Sequence, residues 1–221
     1  MTKERIYLFD TTLRDGQQTP GVDFSAADKI VIAEMLDDLG LDYVEGGYPG
    51  ANPTDTEFFS KKRTKNASFV GFGMTKRVGV SASNDPGIAG LIEARTDAIC
   101  FVAKSWDYHV EVALGCTNEE NVEAITASVH AATKAGREVL VDCEHFFDGY
   151  KANPGYALDC LRAARDAGAA VLLISEDLDE VLAEGETKTE RGRVNEAKIT
   201  GGTHLGQMSG ATKMVEAKLG Q

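Results

Sequence analysis

One phrase recurs along this chain: a helical stretch, a turn holding glycine, then a short apolar run. It stands at Met35–Glu45 (MLDDLGLDYVE), Ala132–Asp142 (ATKAGREVLVD) and Ala164–Ile174 (ARDAGAAVLLI). A helix handed to a buried strand through a glycine, several times over, restricts the fold to helices and strands alternating around a parallel sheet. Gly40, Gly136 and Gly168 suit the left-handed position that closes a helix, and the Val, Leu and Ile residues after them suit strands covered on both faces. The remaining apolar runs bring the candidate strands to six: Ile6–Asp10, Tyr43–Gly46, Phe69–Gly73, Ala98–Val102, Val139–Cys143 and Val171–Ile174. Their spacing fits units of a (β/α) barrel or of a doubly wound sheet.

Helix starts are legible too. Ser25 precedes Ala26-Ala27-Asp28, Thr117 has Glu120 three residues on, and Asn84 and Asn153 are caps ahead of Pro86 and Pro154. After Ser175 the pattern weakens: Glu176–Glu186 reads as a short acidic helix, Thr187–Asn195 is charged, and Ala211–Leu219 reads as one more helix. No seventh or eighth apolar strand is evident. A complete eight-stranded barrel typically takes about 250 residues, so a barrel here is expected to be incomplete, with about six of eight strands.

The 221 residues suffice for one large domain with a substantial core. A net charge of −12 argues against nucleic acid or an anionic membrane surface as the main partner, since both call for clustered Lys and Arg. No apolar stretch approaches the roughly 18 residues of a spanning helix, and the charged start Met1–Arg5 lacks the apolar part of a signal peptide. A cytoplasmic protein is the expectation. The four cysteines, Cys100, Cys116, Cys143 and Cys160, have neither zinc-site pairing nor disulfide-scaffold density and are expected to be free thiols.

Chemistry concentrates where strands end. Phe9–Gln18 (FDTTLRDGQQ) turns from an apolar strand into charged and hydrogen-bonding groups, at the end of a strand where α/β folds place ligands. Arg14 offers a fork of donors for a carboxylate or a developing alkoxide, and Asp15 a hard oxygen ligand for a divalent cation, with Asp10 and Gln18 able to orient both. An Arg–Asp pair that merely closes the loop is the alternative. In Asp142-Cys143-Glu144-His145, strand alternation puts Asp142 and Glu144 on one face. Two carboxylates facing one interior must be hydrated, paired with Arg or near a metal, unless the strand end is simply exposed.

Glu45 is an acid at an otherwise apolar strand end, and Gly46-Gly47 after it either admits a close neighbour or makes a tight turn. Lys104, Trp106, Tyr108 and His109 fall in the loop after the fourth strand, where the aromatic residues either serve the site or simply pack against the rim; His109 and the helical His130 read as structural. Gly71-Phe72-Gly73 does not continue into a dinucleotide fingerprint, and no Gly-Lys-Ser/Thr phosphate loop, Gly-x-Ser-x-Gly elbow or spaced Cys–His pair occurs. Nucleotide hydrolysis and covalent nucleophilic catalysis therefore have no support.

The segments FDTTLRDGQQTPGVDFS, YVEGGYPGANPTDTEFF, FVAKSWDYHVEVALGCTNEEN and VDCEHFFDGYKANP, in this order, resemble the citramalate synthase branch of the isopropylmalate and homocitrate synthase family over about residues 4 to 165. The resemblance implies a TIM (β/α) barrel with a divalent metal (Mg, Mn or Zn), adding the methyl carbon of acetyl-CoA to a 2-oxo acid such as pyruvate. It places the catalytic Arg on Arg14, the metal-binding carboxylate on Asp15 and the substrate-holding or proton-transferring acid on Glu144; Glu45 and Gln18 match pocket-lining positions. On this reading the metal polarises the ketone, Arg14 stabilises the alkoxide and a base takes the acetyl methyl proton.

The tail departs from that pattern. Ser175-Glu176-Asp177 stands where the family has Asp-Thr-x-Gly, the family's His-x-His metal ligands have no counterpart, and His204 is the sole histidine after His145. Ala167–Leu182 instead resembles a segment near the end of transporter ATPase domains. The expected division is a partial synthase-like barrel over 1–175 and a divergent tail over 176–221. Two alternatives follow: a truncated or chimeric barrel acting as a non-catalytic binding or assembly module, whose open sheet edges favour homo-oligomers, or a related lyase or aldolase.

Overall fold

The computed structural model describes residues 7–173 and the strand 211–214. Within them the chain runs β1 (Tyr7–Asp10), α1 (Ala26–Asp38), β2 (Tyr43–Glu45), α2 (Pro53–Phe58), β3 (Ser68–Met74), α3 (Pro86–Glu93) and β4 (Ala98–Lys104). It continues through α4 (Asp107–His109), α5 (Asn118–Lys134), β5 (Glu138–Glu144), α6 (Phe146–Ala152), α7 (Pro154–Asp166), β6 (Ala170–Leu172) and β7 (Ala211–Met214). Strands β1 to β6 pair in chain order and all in parallel, while β7 lies antiparallel on the free edge of β1. This is the expected α/β architecture, an incomplete (β/α) barrel of six parallel strands.

The register sorts the side chains into two faces. Across the inner face Val70 stands beside Ala98, Phe72 beside Cys100 and Cys100 beside Leu140, and with Phe9 and Leu172 these residues form an apolar inner core. One step further along the strands the row becomes Val102, Asp142 and Leu172, and the last pair is Lys104 with Glu144. The opposite face carries Phe69, Ile99, Phe101, Val139, Val141 and Cys143, which pack beneath the helices in two larger clusters. The inner face is thus apolar in its middle, with Glu138 at its N-terminal end accepting from the Tyr43 hydroxyl and a cluster of charged groups at its C-terminal end.

Local chemistry explains the punctuation. Ser25 and Thr117 close capping boxes with Asp28 and Glu120. Gly40, Gly136 and Gly168 adopt φ of 85°, 78° and 103°, as the helix–glycine–strand phrase requires. The Gly71-Phe72-Gly73 pattern is a packing device: a Cβ on Gly73 would lie 2.5 Å from Leu91 Cδ1, so its absence lets α3 settle on the sheet.

Three local expectations change. The cap of α3 is Asp85, not Asn84, because Asp85 accepts from the N–H groups of Gly87 and Ile88 directly behind Pro86. β4 and β5 extend to Lys104 and Glu144, whose side chains pair with each other, so Lys104 belongs to the strand and not to the loop after it. Residues 211–214, read as the start of a helix, form a strand that satisfies the β1 edge through backbone pairing. The helix expected over 176–186 and the domain boundary near 175 lie outside the described residues. Among the described residues no helix is long and apolar enough to cross a membrane.

Candidate active site

At the C-terminal mouth of the sheet, the loop after β1 turns back over the inner face. Backbone N–H groups of Arg14, Asp15 and Gly16 all donate to Thr11 O, while the Asp10 carboxylate accepts from the Thr12 N–H and hydroxyl. Leu13 is fully buried in the cluster beneath α1 and anchors the turn from below. With the backbone fixed on both sides, Arg14 reaches across to β2: its Nε donates to Glu45 Oε2 at 2.7 Å, and its guanidinium lies 4.2 Å over the Phe72 ring. Nη1 donates to Asp15 Oδ1 at 3.1 Å, which leaves Nη2 without a partner among the described residues.

Glu45 is 1% exposed. Burial raises its carboxyl above the usual range and the attraction of Arg14 opposes that rise. Burial also works against the charge of Arg14, but Glu45 and then Asp15 outweigh it and hold the guanidinium firmly protonated. Cys100, beneath them on β4, is a free thiol pushed well up by burial and then by the nearby Glu45 and Asp142. It is a neutral wall of the site and no nucleophile.

The acids of β5 behave differently from one another. Glu144 pairs with Lys104 Nζ through a short ionic hydrogen bond. No hydrogen bond or ion pair from the described residues reaches the Asp142 carboxylate. Burial, reinforced by Glu45 and opposed by Arg14, lifts Asp142 to about 7. Two residues of one strand on one face are thereby a paired carboxylate and an unpaired acid.

Beyond Glu144 the strand stops at His145, which takes a left-handed φ of 54°. Its Nδ1 lies 3.1 Å from Asp148 Oδ2, and its ring packs edge-on to His109 at 4.7 Å and near Trp106. Trp106, Tyr108, His109 and His145 form one aromatic rim, which matches the packing role expected of the aromatic residues there. His130 is exposed on α5.

Of the residues singled out in the sequence, Arg14, Asp15 and Glu45 meet directly, and Glu144 stands on the same inner face. Gln18 is exposed at the end of the one-turn helix Gly16–Gln18; its backbone N–H donates to Asp15 O at 2.9 Å, but its side chain shares no hydrogen bond with them. Lys104 and Asp142, named in the sequence without an assigned role, join them on that face. Strand periodicity paired Asp142 with Glu144, but only the register reveals that Lys104 takes one acid and leaves the other. Gly46 admits no ligand: a Cβ there would meet Phe58 and Phe69 at 2.6 and 2.7 Å. For the divalent metal implied by the resemblance, Asp15 is available, yet among the described residues no three His, Cys, Asp or Glu side chains converge to hold an ion. The described donor set does not fit a complete metal centre.

A family model described as HMGL-like matches residues 5–185. The chain belongs to the HMGL-like family. The match extends past the stretch 4–165 that carries the quoted motifs and across the strip Ala167–Leu182. Within the family the likeness is to the citramalate synthase branch. The chain is 47% identical over 177 residues to a (R)-citramalate synthase of Streptomyces coelicolor, covering 78% of this chain and 33% of that protein. It is 50% identical over 169 residues to that of Aquifex aeolicus, covering 75% and 32%. This HMGL-like chain therefore spans about a third of the length of the curated relatives it matches. Among solved structures, the HMG-CoA lyase of Bacillus subtilis superposes with a TM-score of 0.68 at 16% identity, over 88% of this chain and 67% of that one, a likeness of fold alone.

Proposed function

We propose that this chain carries the condensation site of a citramalate synthase, which joins the methyl carbon of acetyl-CoA to the ketone carbon of pyruvate. The observation that supports this best is Arg14, charged, stacked on Phe72, braced by Glu45 and left with an open Nη2 at the mouth of the sheet. A planar guanidinium so placed grips the carboxylate of a 2-oxo acid and faces the alkoxide that forms next to it.

Each side chain then has a role. Glu144 takes a methyl proton from acetyl-CoA, with Lys104 fixing the position of its carboxylate. The carbanion adds to the ketone, and the electron pair displaced onto oxygen is met by positive charge at Arg14; water then cleaves the thioester of the adduct, leaving a carboxylate and free CoA thiol. In this reading Glu45 positions Arg14, and Gln18, exposed beside the loop, contacts bound substrate. Asp15 offers a divalent cation one carboxylate; no step here depends on it. The likeness of fold to an HMG-CoA lyase supports this reading, which carries with it small-molecule substrates and a cytoplasmic setting in amino-acid biosynthesis.

The test is release of free CoA thiol from acetyl-CoA, with and without pyruvate and with added Mg²⁺, Mn²⁺ or Zn²⁺. Pyruvate-dependent release that disappears in Arg14→Ala is the expected result; release unaffected by that substitution, or cleavage of hydroxymethylglutaryl-CoA in its place, refutes the assignment. One observation favours the non-catalytic alternative, in which the partial barrel binds ligand without turnover: the described residues do not complete a metal centre. Pyruvate binding without CoA release is its signature.

A further inference from the structure

The mouth of the sheet holds three inward carboxyl groups, and two of them have a cation. Glu45 is paired with Arg14 at 2.7 Å, and Glu144 with Lys104. Asp142 stands between them on β5, beside Val102 of β4 and Leu172 of β6, neither of which offers a donor. The charged and titratable groups that face it are Glu45 of β2, Arg14 and Asp15 of the β1 loop, Glu144 of its own strand and the neutral thiol of Cys100; Lys104, on β4, is engaged by Glu144. Asp142 is half-buried in this row; a carboxylate drawn away from water beside other acids with no donor is expensive, and a carboxyl in such a place keeps its proton.

We propose that Asp142 is the proton donor of this site, a neutral carboxylic acid whose O–H hydrogen-bonds the ketone oxygen of a 2-oxo acid held by Arg14. The inference rests on the reading of the site as a 2-oxo acid pocket. In the condensation, Glu144 accepts the methyl proton, the new carbon–carbon bond forms, and the electron pair of the ketone moves to oxygen, which takes the proton of Asp142. Glu144 is left protonated and Asp142 ionised. A proton passing from Glu144 to Asp142, two residues apart on one face, restores the starting state, so the cycle needs no outside acid. The neutral thiol of Cys100 and the permanently charged Arg14 donate no proton in this transfer. The raised value of Asp142, about 7, means the donor form is populated at neutral pH.

The experiment is calorimetric titration of the chain with pyruvate from pH 6 to pH 8, for the wild type, Asp142→Asn and Asp142→Ala, with an unfolding curve for each variant. In the wild type, affinity should fall about tenfold across this interval as the donor ionises. Asp142→Asn, which keeps an N–H donor, should bind at every pH about as the wild type does at pH 6, and Asp142→Ala should bind about tenfold more weakly, also without pH dependence. A flat wild-type profile overturns the proposal. So does Asp142→Ala binding as tightly as the wild type at pH 6, since Asp142 then acts only by repelling the pyruvate anion. Failure of the two readings is distinguishable: the predicted profile without CoA release sinks the condensation and keeps the donor, whereas CoA release with a flat profile does the reverse.

Discussion

Two buried ion pairs flank the same turn after β2, and they are built to opposite specifications. On the helix side, Lys29 and Asp55 are 1% and 5% exposed and meet at 2.5 Å; Lys29 also donates to Gly46 O, and Asp55 accepts from Tyr48 N and Asn52 Nδ2. Each group is surrounded by partners, and the pair ties α1, α2 and the turn into one body. On the inner side, Arg14 and Glu45 also meet closely, but Arg14 keeps an unused corner, its second partner Asp15 is exposed, and the unpaired Asp142 lies nearby. A pair that holds a fold satisfies all its atoms, whereas a pair that holds a ligand leaves some of them open. The first pair is scaffold and the second is site.

The largest effect should come from breaking the closed pair. Lys29→Met leaves the Asp55 charge buried without its cation, and a loss of about 3–5 kcal/mol is expected in urea unfolding. Arg14→Ala removes the partner of Glu45, but Glu45 is already inclined to take a proton, so the expected loss is smaller, about 1–3 kcal/mol, with pyruvate binding abolished. If the two variants lost equal stability, the contrast between scaffold and site would fail.

The third expectation concerns pH. Asp142 has a folded value of about 7 against an ordinary 3.8, so the folded state binds a proton that the unfolded chain releases. Its contribution is complete below about 4 and is lost as pH rises through 7. After allowing for solvent at the mouth, the chain should be about 1–2 kcal/mol more stable at pH 5 than at pH 8, and Asp142→Asn should remove most of the difference in the urea midpoint. Asp37 and Asp85 act in the opposite sense. Burial raises them, but backbone N–H groups from 65–67 and from Arg77, Gly87 and Ile88 outweigh it and depress both, so stability should fall again below about 4. The smallest effect is at the surface: Asp159→Ala breaks an exposed pair with Arg162 on α7 and should change stability by less than about 0.5 kcal/mol.

Much of this architecture was legible in the sequence because the signals were local. A glycine that ends a helix, a Ser or Thr that caps one and an apolar run that fills a sheet are read from a few adjacent residues, and the structure returned each nearly in place. The ends of β4 and β5 were harder. Lys104 looks like a loop residue until Glu144, distant in sequence, lies beside it, and that pairing exists only in the register of the sheet. The same holds for the two acids of β5, whose shared face follows from period two but whose different fates depend on Lys104. The closed pair was not legible at all: Lys29 and Asp55 sit on separate helices, and although Asp55 falls within a quoted segment, nothing in the spacing joins it to Lys29.

The central claim is that the open corner of Arg14, beside Asp142, receives a 2-oxo acid. A crystal structure of the chain grown with pyruvate tests it most directly. The account predicts the pyruvate carboxylate on the Arg14 guanidinium, with its ketone oxygen within hydrogen-bonding distance of the Asp142 carboxyl and the Arg14–Glu45 pair intact. Pyruvate bound elsewhere, or at Arg14 with its ketone oxygen turned away from Asp142, would contradict it.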